Sequence, residues 1–520
     1  MKFKPIYGAF LPLIPALAGG LLLFSAFPAP GFYPAAFFAL VPLWLSIDRL
    51  GSKQAFYAGI GTGICFYLPL IYWICPTMTQ YGGLNPLAAA ACLMLLVLYL
   101  SVYTGVFALV MKKIPIPEGL VPFWGAVAWV ALEYIRTYLF SGFPWGVLGY
   151  SQYPNLVLIQ AADTFGVLGI SFLLVLANGI LVTAFKAFSQ RAWPGKANMA
   201  GIILATVLLG VAFIYGHFEL AKIRGQIKGA PSRKIAVIQA NIPQDRKWDN
   251  VFIDETIDRY ARLSLQAIPC DLVVWPETAV PFYYGMDPGP SNRVDAMVRK
   301  AGTFFLIGIP AAQPSAQGFL YYNRACMLTP LALPKGYYDK HHLVPFGEYV
   351  PFKDLLWFAE KLTAGAGDFS KGETGPVPLK FGTGTTGVLI CFEVLFPNIA
   401  RGFVLNGADM LTTMTNDAWF GRTQAALQHF SISVFRAVEN RRSVVRVANT
   451  GISGFVDPSG AILERSDIFT DCALTRQVPV LSGTTFYTRH GDLLAKACLV
   501  AFFLICVIEP MKKKFRRFLQ

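Results

Sequence analysis

Charged side chains are what this sequence has least of: Asp, Glu, Lys and Arg make up 14% of 520 residues, against 55% hydrophobic. A chain so poor in charge cannot cover an ordinary globular surface along its whole length. That excludes a wholly soluble enzyme and leaves a membrane protein carrying a further domain. Acidic residues are scarcer than basic ones, 30 against 44, for a formal net charge of +14. Excess positive charge can signal nucleic acid, but many of the basic residues lie at the ends of hydrophobic runs, and no nucleic-acid partner is expected. Histidine is rare, five in all. The adjacent pair His341 and His342 would point different ways in an extended segment, with no matching acid or cysteine cluster, so no metal is expected. No glycine-rich phosphate word precedes a helix, which argues against a nucleotide, and no cofactor is expected.

Long apolar runs are missing from one interval. Between residues 216 and 492 no window approaches the ~20 helical residues that cross a hydrocarbon core. Elsewhere such runs fall at 10–26, 33–47, 55–75, 87–111, 120–139, 165–185, 200–215 and 493–508, about eight spans in total. The second is the weakest, being short and holding Pro42. The expected organisation is therefore a transmembrane region at 1–216, an exported domain at 217–492, and a final span with a basic tail at 493–520.

Lys and Arg are also absent from the turns at 28–31, 80–86 and 141–155, whereas the alternate turns carry Lys2 and Lys4, Arg49 and Lys53, Lys112 and Lys113, and Lys186, Arg191 and Lys196. The positive-inside rule then places both termini in the cytoplasm and the large polar interval outside, in the periplasm of a bacterial inner membrane. The first segment, with "SAFPA" after its apolar core, also reads as a cleavable signal, but the charge alternation requires it as a retained span. Glu133 and Arg136, three residues apart in the fifth span, are expected to pair. Of nine cysteines, Cys270, Cys326, Cys391 and Cys472 fall in the exported interval, where disulfides are permitted but not implied by an even count.

Within that interval, short β-prone segments such as "KIAVIQANI", "DLVVWPE" and "TTGVLICFE" alternate with polar helical stretches, which predicts an α/β domain with sheets covered by helices. Three segments end in a reactive side chain: Glu277 after "DLVVWP", Lys340 in "GYYDKHHLVPFGEYVP", and Cys391 after "TTGVLI". Strand ends lie on the rim of an α/β sheet, where loops build sites. Together the three are chemically complete: a carboxylate to take the thiol proton, an ammonium to lower the thiol pKa and face an oxyanion, and a thiolate to attack a carbonyl. Taken singly, each has a plainer role as a buried core cysteine, a surface strand terminus or a solvated lysine.

The words around them, "WPE", "YDKHHLVPFGE" and "CFEVLFP", resemble the nitrilase, or carbon–nitrogen hydrolase, superfamily, whose signature is Glu, Lys and Cys in this order. Combined with about eight spans and with "QANIPQDRKWD", "TNDAWFG" and "RAVENRRSVVRVANTGISG", the chain resembles along nearly its whole length the membrane-embedded branch, the apolipoprotein N-acyltransferases. The resemblance implies an αββα sandwich and a transferase using a phospholipid acyl donor. The acceptor would be the N-terminal α-amine of a diacylglyceryl-modified apolipoprotein, reached through a Cys391 thioester. Phe392 stands where many relatives carry Tyr; its backbone N–H is a candidate second oxyanion donor.

Glu348 is expected to orient Lys340 or share the base's work, or to be a structural ion-pair partner; Glu393 reads as a structural acceptor. Trp248 is a substrate-pocket candidate by resemblance, or packed aromatic core. Trp357 and Phe358, in the segment 351–369, read as part of an amphipathic flap or of a domain-packed helix. Two rival functions use the same residues differently: a membrane-tethered amidase with water as acceptor, and a transporter or scaffold whose outer domain merely binds.

Overall fold

The computed structural model describes residues 13–189, 195–316, 318–350 and 369–518. The chain divides into two compact units, one formed by Met1–Cys75, Leu87–Glu219 and Asp492–Gln520, the other by Pro76–Pro86 and Leu220–Gly491.

The first unit is helical: α1 (Leu13–Ser25), α2 (Val41–Arg49), α3 (Ser52–Ile71), the start of α4 (Ile74–Gln80), α5 (Pro86–Lys113), α6 (Val121–Tyr138), α7 (Ala162–Ser189) and most of α8 (Lys196–Gly229). Among the described residues, Ser52–Ile71, Pro86–Lys113, Leu158–Ser189 and Lys196–Gly229 are long and apolar enough to cross a membrane, and Leu13–Ser25 and Leu493–Ile508 are shorter apolar helices. Small residues let the helices meet closely: a Cβ on Gly20 would stand 2.2 Å from the Thr62 carbonyl oxygen, and one on Gly59 2.4 Å from that of Thr104.

The second expected span is corrected. Residues 33–47 do not make one helix but a 3₁₀ turn, Tyr33–Phe37, followed by α2. Pro34 and Pro42 are tolerated only in first turns, and the two pieces start on them. Nine residues reach only ~13 Å, far less than a ~30 Å hydrocarbon core. The backbone freed by the break is met from α7: Asn178 Nδ2 donates to the Ala36 carbonyl at 2.9 Å, and its Oδ1 accepts from the Leu40 N–H at 2.8 Å. Glu133 and Arg136 do approach, at 4.0 Å. Their main work is on the following loop, where Glu133 accepts from the Leu148 N–H and Arg136 donates to the Trp145 carbonyl, both at 2.8 Å. Helix α8 runs past residue 216 to Gly229, so the interval 217–492 opens as helix.

The second unit holds two six-stranded sheets. The first has the order β12-β1-β2-β3-β4-β5 and the second β11-β10-β9-β8-β7-β6. The strands are β1 (Ser232–Gln239), β2 (Leu272–Val274), β3 (Phe304–Ser315), β4 (Gly318–Leu328), β5 (Pro334–Asp339), β6 (Leu379–Phe381), β7 (Gly384–Ile390), β8 (Met410–Thr415), β9 (Ser443–Ala448), β10 (Gly454–Val456), β11 (Ile462–Arg465) and β12 (Cys472–Pro479). In each sheet the parallel pairs, β1 with β2 with β3 and β7 with β8 with β9, lie at the centre and the antiparallel ones flank them. The sheets face each other through β1 against β9 and β5 against β6. Helices α9 (Ile253–Ala267) and α10 (Pro288–Ala301) cover the first sheet, and α11 (Pro397–Leu405) and α12 (Ala425–Asn440) the second. This is the expected αββα sandwich. Covered on both faces, the central strands read as unbroken apolar runs, "LVV" and "VLI", rather than as alternation. Under α9 the stack of Tyr260 on Trp275, 4.6 Å between centroids, closes the core, and Trp275 donates its indole N–H to Ser264 Oγ at 2.9 Å.

Candidate active site

Glu277 lies three residues beyond the end of β2, closing "WPE", Lys340 follows β5, and Cys391 follows β7. Three separate strand ends, two from one sheet and one from the other, thus deliver the three reactive side chains. Lys340 Nζ donates to Glu277 Oε1 at 3.5 Å and to Glu348 Oε1 at 2.9 Å. Glu348 is thereby placed as Lys340's tightest partner, and its other oxygen accepts from the Val344 N–H at 2.8 Å.

Cys391 occupies the turn where β7 becomes a 3₁₀ helix, Cys391–Leu395. Its φ of 52° is left-handed, a conformation a non-glycine residue adopts only when its surroundings hold it there. Part of that hold is Glu393, fully buried, which accepts N–H bonds from His341 at 2.8 Å, His342 at 3.0 Å and Ile390 at 2.8 Å, and an O–H bond from Tyr338 at 2.8 Å. Glu393 is thus the acceptor that ties the cysteine turn to the lysine loop, and the paired histidines serve it through their backbones. Burial pushes its carboxyl up to about 7 against these donors.

The thiol does not behave as expected from its lysine. Burial, and after it the charge of Glu277, push the Cys391 pKa above the ordinary thiol value, and the pull of Lys340 does not offset them. Burial alone would lower the Lys340 pKa, but Glu348 and then Glu277 raise it well above that of a free lysine, so it stays an ammonium. Lys340 alone therefore does not make Cys391 a preformed thiolate.

Several site residues carried no signal of their own. Asn323, on β4, donates to Glu277 Oε1 at 2.7 Å and to Glu348 Oε1 at 3.0 Å, spacing the two carboxylates. The Asn416 N–H donates to Glu277 Oε2 at 2.9 Å, while its side-chain amide reaches Gln244 Oε1 at 2.8 Å. Lys247, 2% exposed, donates to the Glu277 carbonyl at 3.1 Å. Gly308, on β3, lies under the "WPE" turn, where a Cβ would come within 2.3 Å of the Pro276 carbonyl and 2.8 Å of Glu277 Cα.

Behind the thiol is a second buried cluster: Arg446 donates to Asp417 Oδ2 at 2.9 Å, Thr415 donates to Asp417 Oδ1 at 2.8 Å, and His429 Nε2 lies 3.2 Å from the Cys391 carbonyl oxygen. Asp417, Arg446, Gln244 and Lys247 all fall in the words "TNDAWFG", "RSVVRVANTG" and "QDRKWD", so the signal was present as words without assigned roles.

Trp248 is corrected in one respect: at 42% exposed it is not packed core. Phe392 is buried, with its ring 5.3 Å from Phe396 and 5.9 Å from His342. Trp357 and Phe358 lie outside the described residues. The segment Pro76–Pro86 belongs to this unit: Thr77 donates to the Trp419 carbonyl at 2.8 Å and Tyr81 to that of Ala418 at 3.3 Å.

Residues 19–180 match the family profile "Apolipoprotein N-acyltransferase N-terminal domain", and residues 234–482 match "Carbon-nitrogen hydrolase". The apolipoprotein N-acyltransferase of Geobacter metallireducens is 42% identical over 504 residues, covering 96% of this chain and 95% of that protein. That of Chlorobaculum tepidum is 30% identical over 542 residues, with 97% of each covered. Among solved structures, a nitrilase-superfamily amidase from Nesterenkonia AN1 aligns with 48% of this chain and 93% of its own, at 20% identity and a TM-score of 0.37. With relatives this similar over nearly its full length, the chain belongs to the apolipoprotein N-acyltransferase family.

Proposed function

We propose that this protein transfers an acyl chain from a membrane phospholipid to the N-terminal α-amine of diacylglyceryl-cysteine apolipoproteins. The observation that carries the reading is that Lys340 and Glu277 meet at 3.5 Å and the charges of both act on the Cys391 thiol, the three arriving from three strand ends with Cys391 in a held left-handed turn.

Because the thiol pKa is raised, attack and deprotonation go together: Glu277 takes the proton as sulfur bonds to the ester carbonyl carbon. The tetrahedral oxyanion is met by the Lys340 ammonium and the Phe392 N–H. Collapse breaks the ester C–O bond, and Glu277 returns its proton to the departing lysophospholipid alkoxide, leaving a Cys391 thioester. The α-amine then attacks this thioester and loses its proton to Glu277. Collapse expels the sulfur, which regains that proton, and the amide is released.

In this reading 1–216 and 493–520 lie in a bacterial inner membrane and 217–492 in the periplasm, supported by the Lys and Arg distribution. A periplasm-active reporter fused after Gly229 should be active and one fused after Lys113 inactive. For the chemistry, full-length protein given phospholipid vesicles without acceptor should gain an acyl mass on the Cys391 peptide, removable by hydroxylamine and discharged by a diacylglyceryl-cysteine peptide. Acyl groups on another residue, or free fatty acid as the sole product when the acceptor peptide is present, would overturn the proposal.

A further inference from the structure

A buried lysine is expensive unless its charge is used, since taking an ammonium out of water costs several kcal/mol. Lys247 is such a residue: it is 2% exposed, yet no carboxylate hydrogen-bonds its ammonium among the described residues. Its Nζ instead donates, at 3.1 Å, to the main-chain carbonyl of Glu277. That carbonyl sits at a conformationally tight point. Thr278, next in sequence, has a φ of 44°, and the backbone of Gly308 allows no Cβ beneath the turn. The Glu277 carboxylate is fixed at its oxygens by Asn323 and Asn416, and Lys247 bonds the main chain from which it projects.

The charges of the site also fall short without it. Glu277 and Glu348 bring two negative charges and share one ammonium, Lys340. A net negative site opposes proton loss from the thiol and growth of an oxyanion.

We infer that Lys247 is a positioning residue for acyl transfer: its ammonium anchors the Glu277 turn and supplies the second positive charge that balances the site as negative charge moves from carboxylate to sulfur to oxyanion. This rests on the acyl-transfer reading above. Two titratable groups act on Lys247, Glu277 from the β2 turn and Cys391 from the β7 turn. Both favour its charged form, while burial lowers its pKa to about 8. Charge coupling is mutual, so a protonated Lys247 favours the Cys391 thiolate as the thiolate favours it. Below about pH 8 the anchor is charged, and as pH rises through that value its charge is lost.

The test is the rate of Cys391 acyl loading by full-length protein in phosphatidylethanolamine vesicles, without acceptor, so that titration of an incoming amine does not enter. Between about pH 6.5 and 9.5 the wild type should lose rate along a limb centred near pH 8. Lys247→Met should load at least about tenfold more slowly at neutral pH and show no such limb. Lys247→Arg keeps the charge throughout, so it should load far faster than Lys247→Met at neutral pH and stay flat to the alkaline end. Should Lys247→Met fail to fold, the arginine profile alone decides. A wild-type rate in Lys247→Met, or an unchanged limb at pH 8 in Lys247→Arg, overturns the inference. A wild type that never loads would instead overturn the acyl-transfer reading beneath it.

Discussion

Two buried charge clusters flank Cys391, and they are built differently. Glu277, Lys340 and Glu348 form an open set, with the ammonium 3.5 Å from one carboxylate and 2.9 Å from the other. Asp417, His429 and Arg446 form a closed set, in which Asp417 receives Arg446 at 2.9 Å and Thr415 at 2.8 Å, with His429 at 3.0 Å. In the first, the longer contact leaves Glu277 able to exchange a proton with the neighbouring thiol. Both acids meet three partners, but the close donors to Glu277 are the neutral amides of Asn323 and Asn416, whereas Asp417 is held at 2.9 Å by the Arg446 guanidinium, so the second cluster can support the Cys391 turn but is locked in its ion pair. Burial of charge alone therefore does not mark a reactive group, since buried ion-pair networks also serve structure.

The largest expected effect tests the open set. Glu277→Gln keeps the shape and most hydrogen bonds of the side chain but cannot accept the thiol proton, so acyl loading of Cys391 should fall by on the order of 10³-fold. Thermal stability should fall far less than the rate, because the Gln oxygen still accepts from one of Asn323 and the Asn416 N–H, and Glu348 still pairs with Lys340. Loading rate and thermal midpoint measured on the same preparation check this. A loss of stability matching the loss of rate would make Glu277 structural and erase the distinction between the clusters.

Asp417→Asn should give the reverse pattern. Removing one member of a buried pair strands the other, and Arg446 is fully buried, so the cost is about 3–5 kcal/mol. Denaturant midpoints of the detergent-solubilised protein would show it. Protein that remains folded should load Cys391 at a rate much nearer the wild type than Glu277→Gln does. A rate as low as that of Glu277→Gln in folded Asp417→Asn would place Asp417 in the chemistry.

Gly308→Ala sharpens the same contrast from the backbone. The added methyl would overlap the Pro276 carbonyl, so the turn carrying Glu277 must shift, costing about 1–3 kcal/mol. A small displacement of a reacting group can cost ~10²-fold in rate, so loading should fall by more than stability accounts for. An unaltered loading rate would mean that the position of Glu277 is not critical.

The open set was legible in the sequence because strand ends with Glu, Lys and Cys stand out against apolar runs such as "DLVVWPE" and "GVLICFE". The αββα architecture was legible through the same words. The closed set was not, since an Asp, a His and an Arg that neutralise one another leave no periodic trace, and 29 positions separate Asp417 from Arg446. Lys247 was hidden for a related reason: in "QDRKWD" it is one of four charged residues, which reads as a solvated run, and only the fold buries it. The broken span at 33–47 needed Asn178, distant in sequence, to be affordable at all.

The smallest effect concerns acid. The guanidinium of Arg446 and the neighbouring His429 outweigh burial and hold the Asp417 carboxyl down at about 2, against an ordinary 3.8. A carboxylate whose pKa is lower folded than unfolded adds stability that is complete above the unfolded value and disappears as pH falls through the folded one. The window is therefore pH 3.8 down to about 2. The contribution lost across it is about 2 kcal/mol. Other carboxylates titrate in the same range, so the quantity to measure is the stability gap between wild type and Asp417→Asn, in which their effects cancel. That gap should be constant from neutral pH to about 4 and narrow below it. A gap that narrows between pH 7 and 5 would show that Asp417 is not held in its ionised form by Arg446. A gap unchanged to pH 2.5 would place its folded pKa lower still, and would bind the closed cluster more tightly than the contrast with Glu277 requires.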